Sequence, residues 1–318
     1  MILNILWILI GFVLLIKGAD FLVSGSSNIA KKFHVSEIII GLTVVSIGTS
    51  MPELIVSVTS GINGHTDMAI GNIVGSNICN LLLILGITAI IRPIVFKKET
   101  KFIEIPIALF STILLVLFCN TGEEIGGFEG LILLLCFVAF IGYTIYIGIR
   151  AAKEDTEIKE KVKESESKFE TFKSIGLIVI GIIALKYGGD FVVNNATDIA
   201  RLLHISERII SLTIIAIGTS LPELVTSIVA AIKKENDIAI GNIIGSNIFN
   251  ILLILGVSSS IVPIHYSYSY NADLILLIIS TIVLVLFPYI GKKDTMTRAN
   301  GVIFLGIYFL YMVGLFVK

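Results

Sequence analysis

Two glutamates lie inside apolar stretches of this chain, and each comes with the same neighbours. Residues 48–53 read Gly48-Thr49-Ser50-Met51-Pro52-Glu53, and residues 218–223 read Gly218-Thr219-Ser220-Leu221-Pro222-Glu223. On a helix, Thr49 sits four residues before Glu53 and Ser50 three, so two hydroxyls and a carboxylate can converge on one point. Pro52 has no N–H and clashes with the carbonyl four residues back, that of Gly48, which predicts a kinked or broken helix with freed carbonyls. A second polar set follows each glutamate. Asn72, Ser76 and Asn80 recur every four residues with Asn77 beside them, and Asn242, Ser246 and Asn250 with Asn247 repeat the stripe. Gly71 and Gly75, like Gly241 and Gly245, have the spacing that lets helices approach closely.

The chemistry of this set is narrow. It offers two carboxylates, several hydroxyls, amide oxygens and freed carbonyls, with no His or Cys. All are hard oxygen donors, which suit Na⁺ or Ca²⁺ far better than zinc or copper. One Ca²⁺ or two Na⁺ would neutralise the two glutamates. An organic substrate would need an aromatic or bulky apolar lining, which these motifs lack. Read structurally, the polar groups would only hydrogen-bond helices to one another. Two copies, each pairing a buried Glu with a broken helix, favour a cation site.

Both sets belong to a long internal repeat. Residues 69–86 (AIGNIVGSNICNLLLILG) and 239–256 (AIGNIIGSNIFNILLILG) agree at 15 of 18 positions, offset by 170. The same offset carries Gly18 onto Gly188, Asp20 onto Asp190, His34 onto His204 and Pro93 onto Pro263.

The elements that must hold these groups are membrane helices. The chain is 55% hydrophobic and 15% charged over 318 residues, with a mean hydropathy of +0.98. A soluble domain would carry nearer a quarter of its residues as charges. Ten apolar segments can be drawn, at 2–30, 36–61, 68–91, 102–119, 127–149, 173–200, 207–232, 237–261, 270–288 and 300–317. Each is near the ~20 residues a spanning helix needs, and the N-terminal stretch, with no basic n-region or cleavage site, reads as the first retained span. Five precede the polar stretch 150–172 and five follow it. A five-span unit copied in tandem inserts upside down the second time, which gives two inverted five-helix repeats with broken second and seventh helices. The expected units are residues 1–149, a cytoplasmic linker at 150–172, read as solvated chain or a short surface helix, and residues 173–318.

Basic residues set the orientation. If 150–172 is cytoplasmic, eighteen Lys and Arg lie inside and three (Arg201, Arg208, Lys318) outside, with Lys17 and Lys186 within spans. Both termini are then extracellular. A net charge of −1 without a basic patch gives no sign of nucleic-acid binding. Cys79, Cys119 and Cys136 lack metal-site spacing and read as free thiols. Asp20 and Asp190 suit a place near the ion path or in helix packing, where Lys17 and Lys186 can snorkel or pair with them. Asp67 and Asp237 open the third and eighth segments, where a carboxylate complements the helix dipole.

The paired GTS-hydrophobic-PE and GN-x-x-GSN-x-x-N stretches resemble the two α-repeats of the Ca²⁺/cation antiporter superfamily, particularly its prokaryotic sodium/calcium exchangers. The likeness covers nearly the whole chain. It implies a secondary antiporter rather than an enzyme. No cofactor is implied, and the partners are Na⁺, Ca²⁺ and the bilayer, with no obligate protein. The resemblance makes Glu53 and Glu223 the principal cation ligands. Thr49, Ser50, Thr219, Ser220, Ser76 and Ser246 would add oxygens, as would the carbonyls of Ser46 and Ala216, with Asn80 and Asn250 as a neutral inner pair. It further implies exchange of several Na⁺ for one Ca²⁺, with the first and sixth helices sliding across the others. Proton-coupled branches carry an acid in GN-x-x-E, where this chain has Gly75 and Gly245. K⁺-dependent relatives favour Asp where this chain has Asn250. Both departures argue for Na⁺/Ca²⁺ exchange over Ca²⁺/H⁺ or K⁺-dependent antiport. A cation channel is the rival class. Channels normally build a filter from several subunits, whereas one chain here supplies both carboxylates.

Overall fold

The computed structural model describes residues 1–122, 124–159, 168–204, 214, 216–290 and 292–317. In chain order its helices are α1 (Ile2–Lys32), α2 (Glu37–Thr49), α3 (Met51–Ile62), α4 (Thr66–Ile91), α5 (Thr100–Thr121), α6 (Gly127–Lys159), α7 (Lys168–Leu202), α8 (Ala216–Thr219), α9 (Leu221–Ile232), α10 (Asn236–Ile261), α11 (Asn271–Tyr289) and α12 (Arg298–Val317). Four two-residue strands join loops in pairs: β1 (Ile94–Val95) with β4 (Thr295–Met296), and β2 (Glu124–Ile125) with β3 (Ile264–His265), both antiparallel.

Burial sorts the helices by their side chains. The most apolar 18-residue stretch of α10 is 94% buried and that of α4 78%, against 22% for α1 and α6 and 17% for α12. α4 and α10 carry the Asn and Ser stripes, which cannot face hydrocarbon without losing hydrogen-bond partners, so they take the centre. The outer helices expose Leu, Ile, Val and Phe on the faces turned away from the bundle, as a lipid-facing surface does. Each central helix also loosens into a π-helical stretch, Cys79–Ile84 in α4 and Asn250–Leu255 in α10. Such stretches recur at functional sites because they disturb the regular i→i−4 ladder.

α1 and α7 form a second body, packed antiparallel. A Cβ on Gly11 would lie 2.8 Å from the Gly188 carbonyl oxygen, one on Gly18 2.9 Å from that of Gly181, and one on Gly25 2.7 Å from that of Ser174. These contacts repeat every seven residues along both helices. Only glycine permits such backbone approach, and in lipid it replaces the hydrophobic drive that soluble helices use.

The ten expected spans are matched in part. Among the described residues eight helices are long and apolar enough to cross a membrane, and α2 with α3, bent by 47° at Ser50, makes a ninth. The tenth, segment 207–232, is incomplete because residues 205–213 and 215 lie outside the described residues. Its described part, α8 and the 12-residue α9, falls short of the ~30 Å hydrocarbon core. Within the polar stretch 150–172, α6 runs on to Lys159 and α7 begins at Lys168. Lys, Glu and Ala are good helix formers, so a charged stretch can continue a helix beyond the membrane. The rest of the linker, 160–167, lies outside the described residues.

The loops rich in Lys and Arg meet at one end of the bundle. Lys31 pairs with Glu235 at 3.3 Å, Lys101 with Asp294 at 2.8 Å, and Lys97 with Asp237. There, burial opposes ionisation of Glu235, yet hydrogen bonds with Glu37 and Ser27 and the charge of Lys31 outweigh it, holding its carboxyl below the ordinary value. At the other end the β2–β3 pair forms, and the Tyr270 hydroxyl donates to the Asp67 carbonyl at 3.1 Å.

Candidate cation site

The predicted break falls at Ser50. α2 ends at Thr49, Ser50 leaves the helical region at φ −85°, ψ 6°, and α3 restarts with Pro52 in its first turn. Ser220 repeats this between α8 and α9, at φ −86°, ψ 5°. Proline is at home in a first turn, where its missing N–H would have had no partner. Glu53 and Glu223 also occupy first turns, where exposed N–H groups and the positive dipole end suit a carboxylate.

The two breaks reach across to each other. The Ser50 hydroxyl donates to Glu223 Oε1 at 2.8 Å, and Ser220 approaches Glu53 Oε1 at 3.5 Å. Ser246 Oγ lies 3.0 Å from Ser50 Oγ, and Ser76 Oγ 3.3 Å from Ser220 Oγ. Thr49 donates to Asn242 Oδ1 at 3.0 Å, and Thr219 to Asn72 Oδ1 at 3.3 Å. Each asparagine then braces the glutamate of its own half: Asn72 Nδ2 donates to Ser57 Oγ at 3.0 Å and to the Glu53 carbonyl at 3.4 Å. Asn242 does the same to Ser227 and Glu223, at 3.0 and 3.4 Å. Each of these contacts has its counterpart 170 residues away. The half centred on Glu223 is the tighter.

Eight of the expected residues therefore meet: Glu53, Glu223, Thr49, Ser50, Thr219, Ser220, Ser76 and Ser246, all buried. Glu53 and Glu223 are each 1% exposed, yet Oε2 of each has no hydrogen-bond partner among the described residues. A buried carboxylate oxygen without a donor is costly unless something positive meets it. Asn80 Oδ1 and Asn250 Oδ1 are likewise buried and unpartnered, while Asn250 Nδ2 donates to Asn77 Oδ1 at 3.1 Å. Among the described residues no three His, Cys, Asp or Glu cluster. Asn77 Nδ2 and both side-chain polar atoms of Asn247 are buried and unpartnered too, but the free atoms of Glu53, Glu223, Asn80 and Asn250 are oxygens of carboxylates and amides, which fits an alkali or alkaline-earth ion.

Other expected positions fare differently. The Ser46 side chain turns back to the Leu42 carbonyl at 2.7 Å, and the Ser46 carbonyl already accepts the Ser50 N–H at 2.9 Å. The proline frees the carbonyl four residues before it, that of Gly48, rather than that of Ser46. Ala216 opens α8, and its side chain is outside the described residues. Asp190 pairs with Lys186 at 3.0 Å, as its i,i+4 spacing allows, but Asp20 pairs with Lys233 rather than Lys17. Lys233 also donates to Ser24 at 2.6 Å, tying α1 to the end of α9. Spacing along one helix could not reveal that partner. Gly241 and Gly245 do sit against a neighbouring helix, α2, as the small-xxx-small spacing predicts, but Gly71 and Gly75 make no such approach among the described residues.

The whole arrangement has relatives. Residues 3–146 and 173–317 match the family described as sodium/calcium exchanger protein. A protein of Alkalimonas amylolytica named antiporter CaxA is 39% identical over 313 residues, covering 98% of each chain. The sodium/calcium exchanger MaX1 of Methanosarcina acetivorans is 33% identical over 347 residues, again covering 98% of each. A solved structure of the sodium-calcium exchanger NCX_Mj, soaked with 2.5 mM Na⁺ and 0.1 mM Ca²⁺, superposes with a TM-score of 0.85 at 32% identity and 98% coverage of both chains. The fold is thus an all-helical, multi-pass membrane fold shared with that exchanger. On these matches, spanning nearly its full length, this chain belongs to the sodium/calcium exchanger protein family.

Proposed function

We propose that this protein is a secondary antiporter exchanging Na⁺ for Ca²⁺ at a single mid-membrane site between the breaks at Ser50 and Ser220. One observation carries the reading: each buried glutamate is held at one oxygen from the opposite break and leaves the other oxygen unpartnered. Glu53 and Glu223 are the principal ligands. Thr49, Ser50, Thr219, Ser220, Ser76 and Ser246 supply hydroxyl oxygens, Asn80 and Asn250 amide oxygens, and Ser46 and Ala216 carbonyls. The crosswise contacts support two inverted five-helix repeats, 1–149 and 173–318, with ten spans. The gathering of basic loops at one end supports a cytoplasmic 150–172 and extracellular termini.

Charge explains the coupling. With one Ca²⁺ or two Na⁺ the pair of carboxylates is neutralised, and the loaded site can change its exposure. Empty, it would carry two buried negative charges through a low-dielectric barrier at a cost of several kcal/mol. The empty carrier is therefore held back, and Ca²⁺ moves only against Na⁺. α1 and α7, locked through their glycines, slide as one body, and the Lys233–Asp20 pair fastens that body at one end of its travel. The glycines at 75 and 245, in place of an acid, favour Na⁺ over proton coupling, and the neutral Asn250 disfavours a K⁺ requirement.

The test is competition. Ca²⁺ stabilises the purified protein by RT ln(1 + [L]/Kd), about 2.7 kcal/mol at a hundredfold excess over Kd, and so raises its melting temperature. Na⁺ shifts that titration to higher Ca²⁺, and both effects vanish in Glu53→Gln and Glu223→Gln. Stabilisation by Ca²⁺ that Na⁺ leaves untouched would reject a shared site.

A further inference from the structure

Glu104 is a charge that the internal repeat does not call for. The 170-residue offset carries it onto Leu274, which is 1% exposed, so the other copy fills the same place with a buried apolar side chain. Glu104 is itself only 6% exposed, and its Oε2 has no hydrogen-bond partner among the described residues. The Thr100 hydroxyl lies one turn earlier, close enough to act on the carboxyl, yet Thr100 Oγ1 is unpartnered too. The turn that joins them, Thr100–Glu104, is π-helical, a form that recurs at functional sites. A buried acid without a donor is costly, and this one takes no part in the contacts around Glu53 and Glu223.

Glu104 lines a cavity of about 240 Å³ between α2, α5 and α6, at the end where the basic loops gather. Ile39, Leu42, Ile107 and Phe140 form an apolar wall, while Lys97, Glu99 and Tyr143 are exposed at the rim. Lys97 is already paired with Asp237, so Glu99 and Glu104 leave the cavity net negative. A metal ion would need more oxygens than one buried carboxylate supplies, and no three His, Cys, Asp or Glu cluster among the described residues. One carboxylate beside an apolar wall fits an organic ammonium that carries a hydrocarbon chain.

We propose that this cavity binds a phospholipid with a primary-ammonium headgroup, of the phosphatidylethanolamine class, whose ammonium donates to Glu104 Oε2. A primary ammonium brings three N–H donors to the free oxygen, and the resulting bond is charge-assisted. The Tyr143 ring at the rim favours a cation as well. Lys97 also has three donors and can hold the lipid phosphate together with Asp237. A choline headgroup has no N–H to offer Glu104. An anionic headgroup is repelled by Glu99 and Glu104, although this end of the molecule is rich in Lys and Arg. The lipid site is separate from the cation site and does not rest on that reading.

The test titrates delipidated protein in detergent with short-chain phosphatidylethanolamine, the matching phosphatidylcholine and phosphatidylglycerol, and free phosphoethanolamine. Binding is read from the melting temperature and from the mass of the intact complex. Phosphatidylethanolamine binds at least ~10-fold more tightly than either other lipid, the worth of one hydrogen bond to a charged group. Free phosphoethanolamine, which has no chains for the apolar wall, does not bind over the same range. Glu104→Leu, which borrows the residue of the other copy, brings the ratio between the lipids close to one. Glu104→Gln, which keeps the shape and removes the charge, does the same should Glu104→Leu fail to fold. Equal affinity for the three lipids, a preference for phosphatidylglycerol, phosphoethanolamine binding as tightly as the lipid, or a preference that survives both substitutions overturns the proposal.

Discussion

Replacing Glu223 or Glu53 by Gln removes one charge and leaves the shape almost unchanged. Glu223 accepts the Ser50 hydroxyl at 2.8 Å, with Ser246 Oγ 3.0 Å from Ser50 Oγ, and it is 1% exposed. A bound Ca²⁺ would then face a single carboxylate across a site that admits little water. Losing one member of a buried charge pair costs about 3–5 kcal/mol. At 1.4 kcal/mol per tenfold, Ca²⁺ affinity falls by roughly two to three and a half orders of magnitude. Without Ca²⁺ the sign reverses: the variant buries one negative charge fewer, so ion-free protein melts no lower than wild type. Two assays suffice, Ca²⁺ titration by calorimetry and ⁴⁵Ca²⁺ uptake in proteoliposomes, with Glu124→Gln as a solvent-exposed control. The reasoning is refuted if either variant binds and transports Ca²⁺ within about twofold of wild type, a loss well below 1 kcal/mol.

Three further outcomes are expected. Ser50→Ala weakens Ca²⁺ binding more than Ser220→Ala, because a hydroxyl at 2.8 Å from a carboxylate is worth ~1.5–3 kcal/mol and one at 3.5 Å much less; equal losses in calorimetry contradict this. Gly18→Leu drives a side chain into the Gly181 backbone and destabilises by ~1–3 kcal/mol or more. Gly176→Leu on the same helix pair, where a Cβ meets nothing within 4 Å among the described residues, is near neutral; indistinguishable melting temperatures would remove the glycine contact from the account. In a Cys-less background, Lys163→Cys, outside the described residues, reacts with an impermeant maleimide only from the cytoplasm, and Glu124→Cys only from outside; the reverse pattern inverts the orientation.

The candidate site was legible because the chain states it twice. A single proline, glutamate and polar stripe could serve helix packing, but the 170-residue copy singled out Glu53, Glu223 and their hydroxyl neighbours, and the structure brings these together. The breaks followed from Pro52 and Pro222, since backbone chemistry is local. The Asp20–Lys233 pair was hidden by a separation of 213 residues, which no helical spacing reveals. The repeat paired Gly18 with Gly188, but only the backbone contacts of Gly11, Gly18 and Gly25 with Gly188, Gly181 and Ser174 identify α1 and α7 as partners.

The most direct test of exchange at the two-glutamate site is ⁴⁵Ca²⁺ uptake into proteoliposomes loaded with Na⁺. The potential is clamped by valinomycin and K⁺, with a K⁺-free arm clamped by protons. If three Na⁺ leave for each Ca²⁺ that enters, one positive charge exits per cycle, and each 100 mV of inside-positive potential drives uptake by roughly 2.3 kcal/mol. The account predicts uptake that requires internal Na⁺, rises with inside-positive potential, survives removal of K⁺ and disappears in Glu53→Gln and Glu223→Gln. Uptake that proceeds without Na⁺, or that a pH gradient alone can drive, would contradict it.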